Sequence, residues 1–346
     1  MRWGNIALHS HQKSIKSRSF YDVESRGKLM NTITVKGVKE NFEISRIAFG
    51  TGSALKELSK EEFFQLFDTF FAKGGTVLDT APGYNRGKSE KYIGEWMAER
   101  GNRDKVIIST KACHTFEGEP SRLTLKDMLE DLELSLSQLQ TDYIDLFWIH
   151  NDDVTKPVSE IIDAVNEVIK TGKVRAVGCS NWSIERIEAA NNYAKEAGLY
   201  GFFANQIQWS LARVETDDYK KAFNALVMDD ESYDWYVKND VAVFAFSSVA
   251  QGFFSIAAKG GLEALPELTR QFFETPNNIK RLENVKAYMA KHHVPASVPV
   301  IGYITNNKLP GVALTSATNV DILNETMAAA DVHLTEEEVD QLFNVD

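Results

Sequence analysis

From residue 46 onward the chain alternates short apolar, strand-like runs with longer helix-like stretches, with little interruption. The strand-like runs fall near 46–49, 76–79, 105–110, 143–149, 173–178, 202–206, 241–246 and 311–315. Helix-like stretches fit between them: Lys60 to Lys73, Ser89 to Arg100, Leu125 to Leu139, Val158 to Thr171, Ile184 to Ala197, a polar stretch around 216–238, a helical region within 279–306, and Val320 to Ala329. Ser59 followed three residues later by Glu62 is a capping box, and Gly172 and Gly198 sit where helices end. The stretch Leu334 to Val339 repeats the cap signal and opens a terminal helix, while Thr32 to Lys36 and Phe42 to Ile44 flank a turn and read as a hairpin. Strand and helix in regular alternation is the pattern of a parallel sheet with crossover helices, and eight strands is the number that closes a barrel. The expected fold is therefore an α/β (β/α)8 TIM barrel with an N-terminal hairpin and a C-terminal helix, residues 31–346 forming one domain.

Residues 1–30 break the pattern. Arg2, Lys13, Lys16, Arg18, Arg26 and Lys28 stand against Asp22 and Glu24, with several serines and no periodicity. They read as an extension or disordered tail, and a start codon placed too early, with Met30 as the true start, fits the same composition. His9 and His11 are read as tail residues rather than metal ligands.

The composition narrows the function classes. A formal net charge of -11 argues against nucleic acid and against an acidic membrane surface, since either needs a concentrated basic patch. A chain 43% hydrophobic can bury a large core, yet no run reaches the roughly eighteen apolar residues of a spanning helix. The start of the chain lacks the apolar segment of a secretory signal, so the expected compartment is the cytoplasm. Cys113 and Cys179 imply no disulfide framework. The oligomeric state is left open.

Candidate chemistry gathers where strands run out. Asp79 and Tyr84 are five residues apart at the end of one run, Lys111 ends another, and His150 closes the run Tyr143 to Ile149. Parallel strands would bring all four to one rim, which is where barrel enzymes keep their active sites. A tyrosine that is to donate a proton near neutral pH needs a cation beside it, and that cation needs an anion to hold it. Taken singly, Asp79 reads as a turn residue, Lys111 as a solvated lysine and Tyr84 as a rim aromatic. Two apparent phosphate motifs fail. Gly50-Thr51-Gly52 lacks the third glycine of a dinucleotide fingerprint, position 55 being leucine, and Gly83 to Ser89 has three residues between its glycines where a P-loop has four. The histidines give no metal-ligand spacing.

Asp79, Tyr84, Lys111 and His150, in this order and context, resemble the catalytic tetrad of the aldo-keto reductases. Gly178-Cys179-Ser180-Asn181-Trp182, Asn205-Gln206 and the run Ala245 to Gly252 resemble that family's cofactor-binding stretches, so the likeness extends from about Thr32 to Phe343. The resemblance implies an NAD(P)H-dependent oxidoreductase that reduces an aldehyde or ketone, or oxidises the alcohol, with a small-molecule carbonyl or alcohol as partner. It further implies that Asp79 holds Lys111, that Lys111 lies against the Tyr84 hydroxyl and eases transfer of its proton, and that His150 orients the carbonyl. Ser180, Asn181 and Gln206 would bind the carboxamide, Phe246 would stack on the nicotinamide, and Ser247, Val249, Gln251 and Gly252 would follow the pyrophosphate; Gly50 and Thr51 join the cofactor-binding set. In the family the hairpin closes the barrel floor.

The adenosine end departs from the family. Ser316, Thr318 and Thr326 stand where relatives carry a lysine or arginine for the 2′-phosphate and an asparagine for adenine. The resemblance puts NADP(H) ahead, and a site without a cation leaves NAD(H) open. Trp148, Trp182, Trp209 and His114 are candidate pocket walls by position in the motifs, with core packing the competing role for the aromatics. A cofactor-binding regulatory protein with negligible turnover is the alternative function, and a metal-dependent barrel hydrolase a third.

Overall fold

A computed structural model describes residues 31–52, 55–115, 119–239 and 241–345; the extension expected at 1–30 lies outside them. The chain opens with strands β1 (Thr32–Val35) and β2 (Phe42–Ser45), paired antiparallel with Thr32 opposite Ser45. It continues through β3 (Ile47–Gly50), α1 (Lys60–Ala72), β4 (Val77–Asp79), α2 (Lys88–Arg100), β5 (Ile107–Ala112), α3 (Leu125–Leu139), β6 (Ile144–Ile149) and α4 (Val158–Lys170). Then come β7 (Val174–Ser180), α5 (Ile184–Ala197), β8 (Ala204–Gln208), α6 (Asp217–Phe223), α7 (Asp230–Asn239), β9 (Ala242–Phe246), α8 (Phe253–Gly260) and α9 (Glu267–Phe273). The last elements are α10 (Pro276–His292), α11 (Ser297–Thr305), β10 (Gly311–Thr315), α12 (Val320–Met327) and α13 (Glu336–Phe343).

Strands β3 to β10 form a closed parallel barrel in which β10 pairs with both β9 and β3. All eight were legible as short runs rich in apolar residues, as expected of strands covered on both faces, although β5 and β8 also bury Ser109, Thr110 and Lys111 and Asn205, Gln206 and Gln208. The capping boxes Ser59/Glu62 and Thr335/Glu338 form at the starts of α1 and α13. Two expectations are refined. The polar stretch 216–238 is two helices, since Asn224 turns left-handed (φ 44) and ends α6. Lys111 lies within β5 instead of beyond it, so its side chain belongs to the barrel lumen.

The lumen is graded along its axis. Side chains of Ala48, Val77, Ile107, Leu146, Ala176, Ala204, Phe244 and Val312 form one buried apolar cluster, with Val35 and Ile44 of the hairpin at its lower end. Successive residues of a strand point to opposite faces, so the next inward positions lie two residues on. These are Asp79 on β4, Ser109 on β5, Trp148 on β6, Gly178 on β7 and Gln206 on β8. Trp148 can occupy this layer because Gly178 has no side chain: a Cβ there would come within 2.4 Å of the Trp148 ring. The floor is thus apolar and closed, and polar groups accumulate toward the C-terminal rim.

Candidate active site

Register brings the polar residues together. Asp79 pairs with Ser109, Lys111 with Trp148, Trp148 with Gly178, and Ser180 with Gln206. Asp79 ends β4, and its carboxylate meets three donors: Lys111 Nζ at 2.7 Å on Oδ1, with Ser109 Oγ at 2.8 Å and Gln206 Nε2 at 3.1 Å on Oδ2. Trp148 Nε1 donates to Ser109 Oγ at 2.8 Å and fixes that hydroxyl. Lys111 is 1% exposed and also donates to the Thr80 carbonyl at 2.8 Å. Loss of hydration opposes its charge, but the Asp79 carboxylate and then Tyr84 outweigh it and hold the ammonium above the usual lysine range.

Tyr84 opens a one-turn 3-10 helix after β4, half-buried, with the Lys111 ammonium 4.7 Å from its ring centre. The turn is held by the next residue. Asn85 adopts left-handed backbone (φ 51), and its amide donates to the carbonyls of Thr51 and Gly52 and to Ser89 Oγ. Thr51 is buried, and both its N–H and its hydroxyl bond the Asp79 carbonyl. Its observed role is therefore to tie the β3 and β4 ends together, while Gly50 stays half-buried at the tip of β3.

His150 follows β6, anchored by its N–H on the Ala112 carbonyl, with its ring centre 6.2 Å from that of Tyr84 and 4.6 Å from that of His114. Burial, then Lys111, then His114 push its imidazole well below the usual histidine range, so it stands neutral at the rim with N–H and lone pair both usable. The four residues therefore surround one point: a fixed cation under a tyrosine, with a neutral imidazole opposite.

The neighbouring rim carries neutral donors and acceptors. Ser180 Oγ bonds the Gln206 carbonyl, and Asn181, at φ 58, bonds Ser180 Oγ and accepts from Leu226 N–H. Phe246 is half-buried at the end of β9. Beyond it Ser247, Ala250, Gln251 and Gly252 have left-handed backbone, and the exposed sides of this turn belong to Ser247, Val249, Gln251 and Gly252. Tight turns of this kind gather N–H groups into concavities that suit anions. An aromatic face, amides and a turn of left-handed residues in series could hold a flat, amide-bearing ring joined to a phosphorylated tail.

Further along, before α12, Ser316 and Thr318 are exposed, while Thr326 in the last turn of α12 is buried. A shallow cavity of about 250 Å³ lies there, lined by Thr318, Asn319 and Asp321 with Glu62 and Gln65 of α1. Its lining, among the described residues, includes two carboxylates and no cation. Trp148, Trp182 and Trp209, the expected pocket walls, are at most 1% exposed and belong to the core; His114 alone of that set is at the rim, half-buried. Ser109 and Asn85 were missed. Ser109 had a signal, since it precedes Lys111 by two and must share its face; Asn85 had only its small polar side chain in the stretch between Gly83 and Gly87.

Among the described residues no helix is long and apolar enough to cross a membrane, and no group of His, Cys, Asp or Glu is placed to hold a metal. The profile of the Aldo/keto reductase family matches residues 46–346. The chain is similar to norsolorinic acid reductase B of Aspergillus parasiticus, 37% identical over 180 residues covering 49% of this chain and 47% of the relative. It is similar to an aryl-alcohol dehydrogenase [NADP(+)] of Phanerodontia chrysosporium, 35% identical over 44% of this chain and 43% of the relative. An aryl-alcohol dehydrogenase of Pestalotiopsis microspora is 28% identical over 83% of this chain and 73% of the relative. The chain thus spans about half the length of the first two relatives.

Proposed function

The chain belongs to the aldo/keto reductase family, and on that premise we propose that it reduces an aldehyde or ketone with a nicotinamide cofactor, Tyr84 serving as the proton donor. The observation that carries the reading is the buried Lys111–Asp79 pair set beneath Tyr84, with a neutral His150 at the same rim. Ser180, Asn181, Gln206, Phe246 and the turn 247–252 would hold the nicotinamide cofactor, which would supply the hydride. The protein does the rest. His150 donates to the carbonyl oxygen and orients it; Tyr84 transfers its proton to that oxygen; Lys111 stabilises the phenolate left behind. Asp79, Ser109 and Gln206 keep the ammonium in place. In alcohol oxidation the same groups run in reverse. Residues 31–346 act in this reading as one domain.

Two relatives act, by name, on aryl alcohols, so an aryl aldehyde and its alcohol are the first substrate pair to try. The acidic cavity at α12 supports a shallow preference between NADPH and NADH, because neither Glu62 nor Asp321 rewards a 2′-phosphate. Initial rates with a panel of carbonyl compounds, NADPH and NADH side by side, test the proposal: aryl aldehydes should turn over with both. Cofactor binding without turnover on any carbonyl would favour a regulatory protein instead.

A further inference from the structure

We propose that Glu90, sealed behind the strand that carries Lys111, is a positioning residue whose protonation state sets how strongly Lys111 polarises Tyr84, so that reduction is favoured while Glu90 is neutral. The inference rests on the reading of Tyr84 as proton donor. Glu90 lies in the first turn of α2, the helix that begins where the Tyr84 turn ends, and is 0% exposed. Its Oε1 accepts from Thr110 Oγ1 at 2.6 Å. Thr110 is the residue before Lys111 on β5 and points to the opposite side of the strand. Glu90 Oε2 is buried and completes no hydrogen bond; the buried hydroxyl of Ser135 on α3 stands near enough to favour the ionised form but completes no bond to it. A carboxylate needs several donors to remain ionised away from water, and this one has a single good one.

The charged and titratable groups that face it are Lys111 from β5 and Asp131 from α3. Asp131 is itself engaged with Arg122 and the Cys113 N–H. Burial raises the Glu90 carboxyl to about 7 against the opposing pull of Thr110, Ser135 and Lys111, and Asp131 adds to the rise. The group therefore changes charge near neutral pH. When it is neutral, Lys111 has one anion beside it, Asp79, and its remaining field reaches the Tyr84 oxygen. When it is ionised, a second anion on the far side of Lys111 cancels part of that field through a low-dielectric path, and the phenolate formed as Tyr84 gives up its proton is held less well. A mere strut between α2 and β5 would show none of this dependence on pH.

The test compares reduction rates on both sides of pH 7 for wild type, Glu90→Gln and Thr110→Val, with the protonated-carboxyl infrared band followed in cofactor-free protein. The wild-type rate should fall as pH rises through about 7, with the infrared band fading over the same range. Glu90→Gln should lack both the inflection and the band. Thr110→Val removes a donor that favours the ionised form and should move the inflection to higher pH, which keeps the proposal testable if Glu90→Gln does not fold. An inflection that survives in Glu90→Gln, or a carboxyl ionised throughout, overturns the proposal. A fading band with no turnover on any carbonyl sinks the reductase reading, and this role with it, while leaving the ionisation of Glu90 established; turnover whose pH profile ignores position 90 sinks the role alone.

Discussion

Lys111 shows how one residue combines stability and chemistry. At 1% exposure it keeps a charge only because Asp79, Thr80 and the ring of Tyr84 replace water around it. Removing one partner of a buried ion pair strands the other, which costs about 3–5 kcal/mol. Lys111→Met should sit near the lower end of that range, about 3 kcal/mol, because Asp79 still accepts from Ser109 and Gln206. Chemical denaturation measures that loss, and turnover should nearly vanish in the same variant. A fully active Lys111→Met would remove the ammonium from the mechanism. His150 makes the complementary case: held neutral by burial, it resists protonation in the folded state, so whatever stability it contributes is present above the ordinary histidine range and lost as pH falls below it.

At the scale of elements, what positions Tyr84 is a single left-handed turn tied to β3. Asn85 tolerates φ 51 better than most residues and uses its amide on Thr51, Gly52 and Ser89. Asn85→Gly keeps the backbone preference and loses the bonds; Asn85→Ala loses both and adds about 1–2 kcal/mol of backbone strain. Both variants should slow turnover, with thermal unfolding lower for alanine than for glycine. Wild-type turnover in Asn85→Gly would show that the amide does not place the tyrosine. The barrel strands were legible because most are rich in apolar residues on both faces, even though β5 and β8 bury polar side chains, and helices such as α3 and α5 because their caps and apolar stripes agree. Helices α8 and α9 were not: Phe253 to Gly260 is a short run with no side-chain cap at its start, and α9 is a seven-residue helix behind Pro266. The site was legible as residues at strand ends. Its wiring was not, since the Gln206–Asp79 bond joins residues 127 apart, and Ser-Glu at the start of a helix reads as a solvated cap, which hid Glu90.

At the scale of the molecule, a chain of net charge -11 places two carboxylates, Glu62 and Asp321, around the cavity beside Thr318, which the proposed function assigns to the second phosphate of NADPH. An arginine placed there makes a charge-assisted bond worth about 1.5–3 kcal/mol, roughly ten- to a hundred-fold in affinity. Thr318→Arg should tighten NADPH selectively, leave NADH nearly unchanged, and lose its gain as salt is raised; equilibrium titration of both cofactors checks this. A wild-type preference for NADPH near a thousand-fold would mean that a cation from elsewhere reaches the phosphate.

Whether the Asp79–Lys111 pair makes Tyr84 the proton donor for carbonyl reduction can be decided by one comparison. Turnover of an aryl aldehyde and cofactor affinity are measured for wild type and Tyr84→Phe. Loss of the hydroxyl should lower turnover by at least about a hundred-fold, the scale of general acid catalysis, and leave cofactor affinity almost unchanged. Turnover by Tyr84→Phe at the wild-type rate would contradict the account.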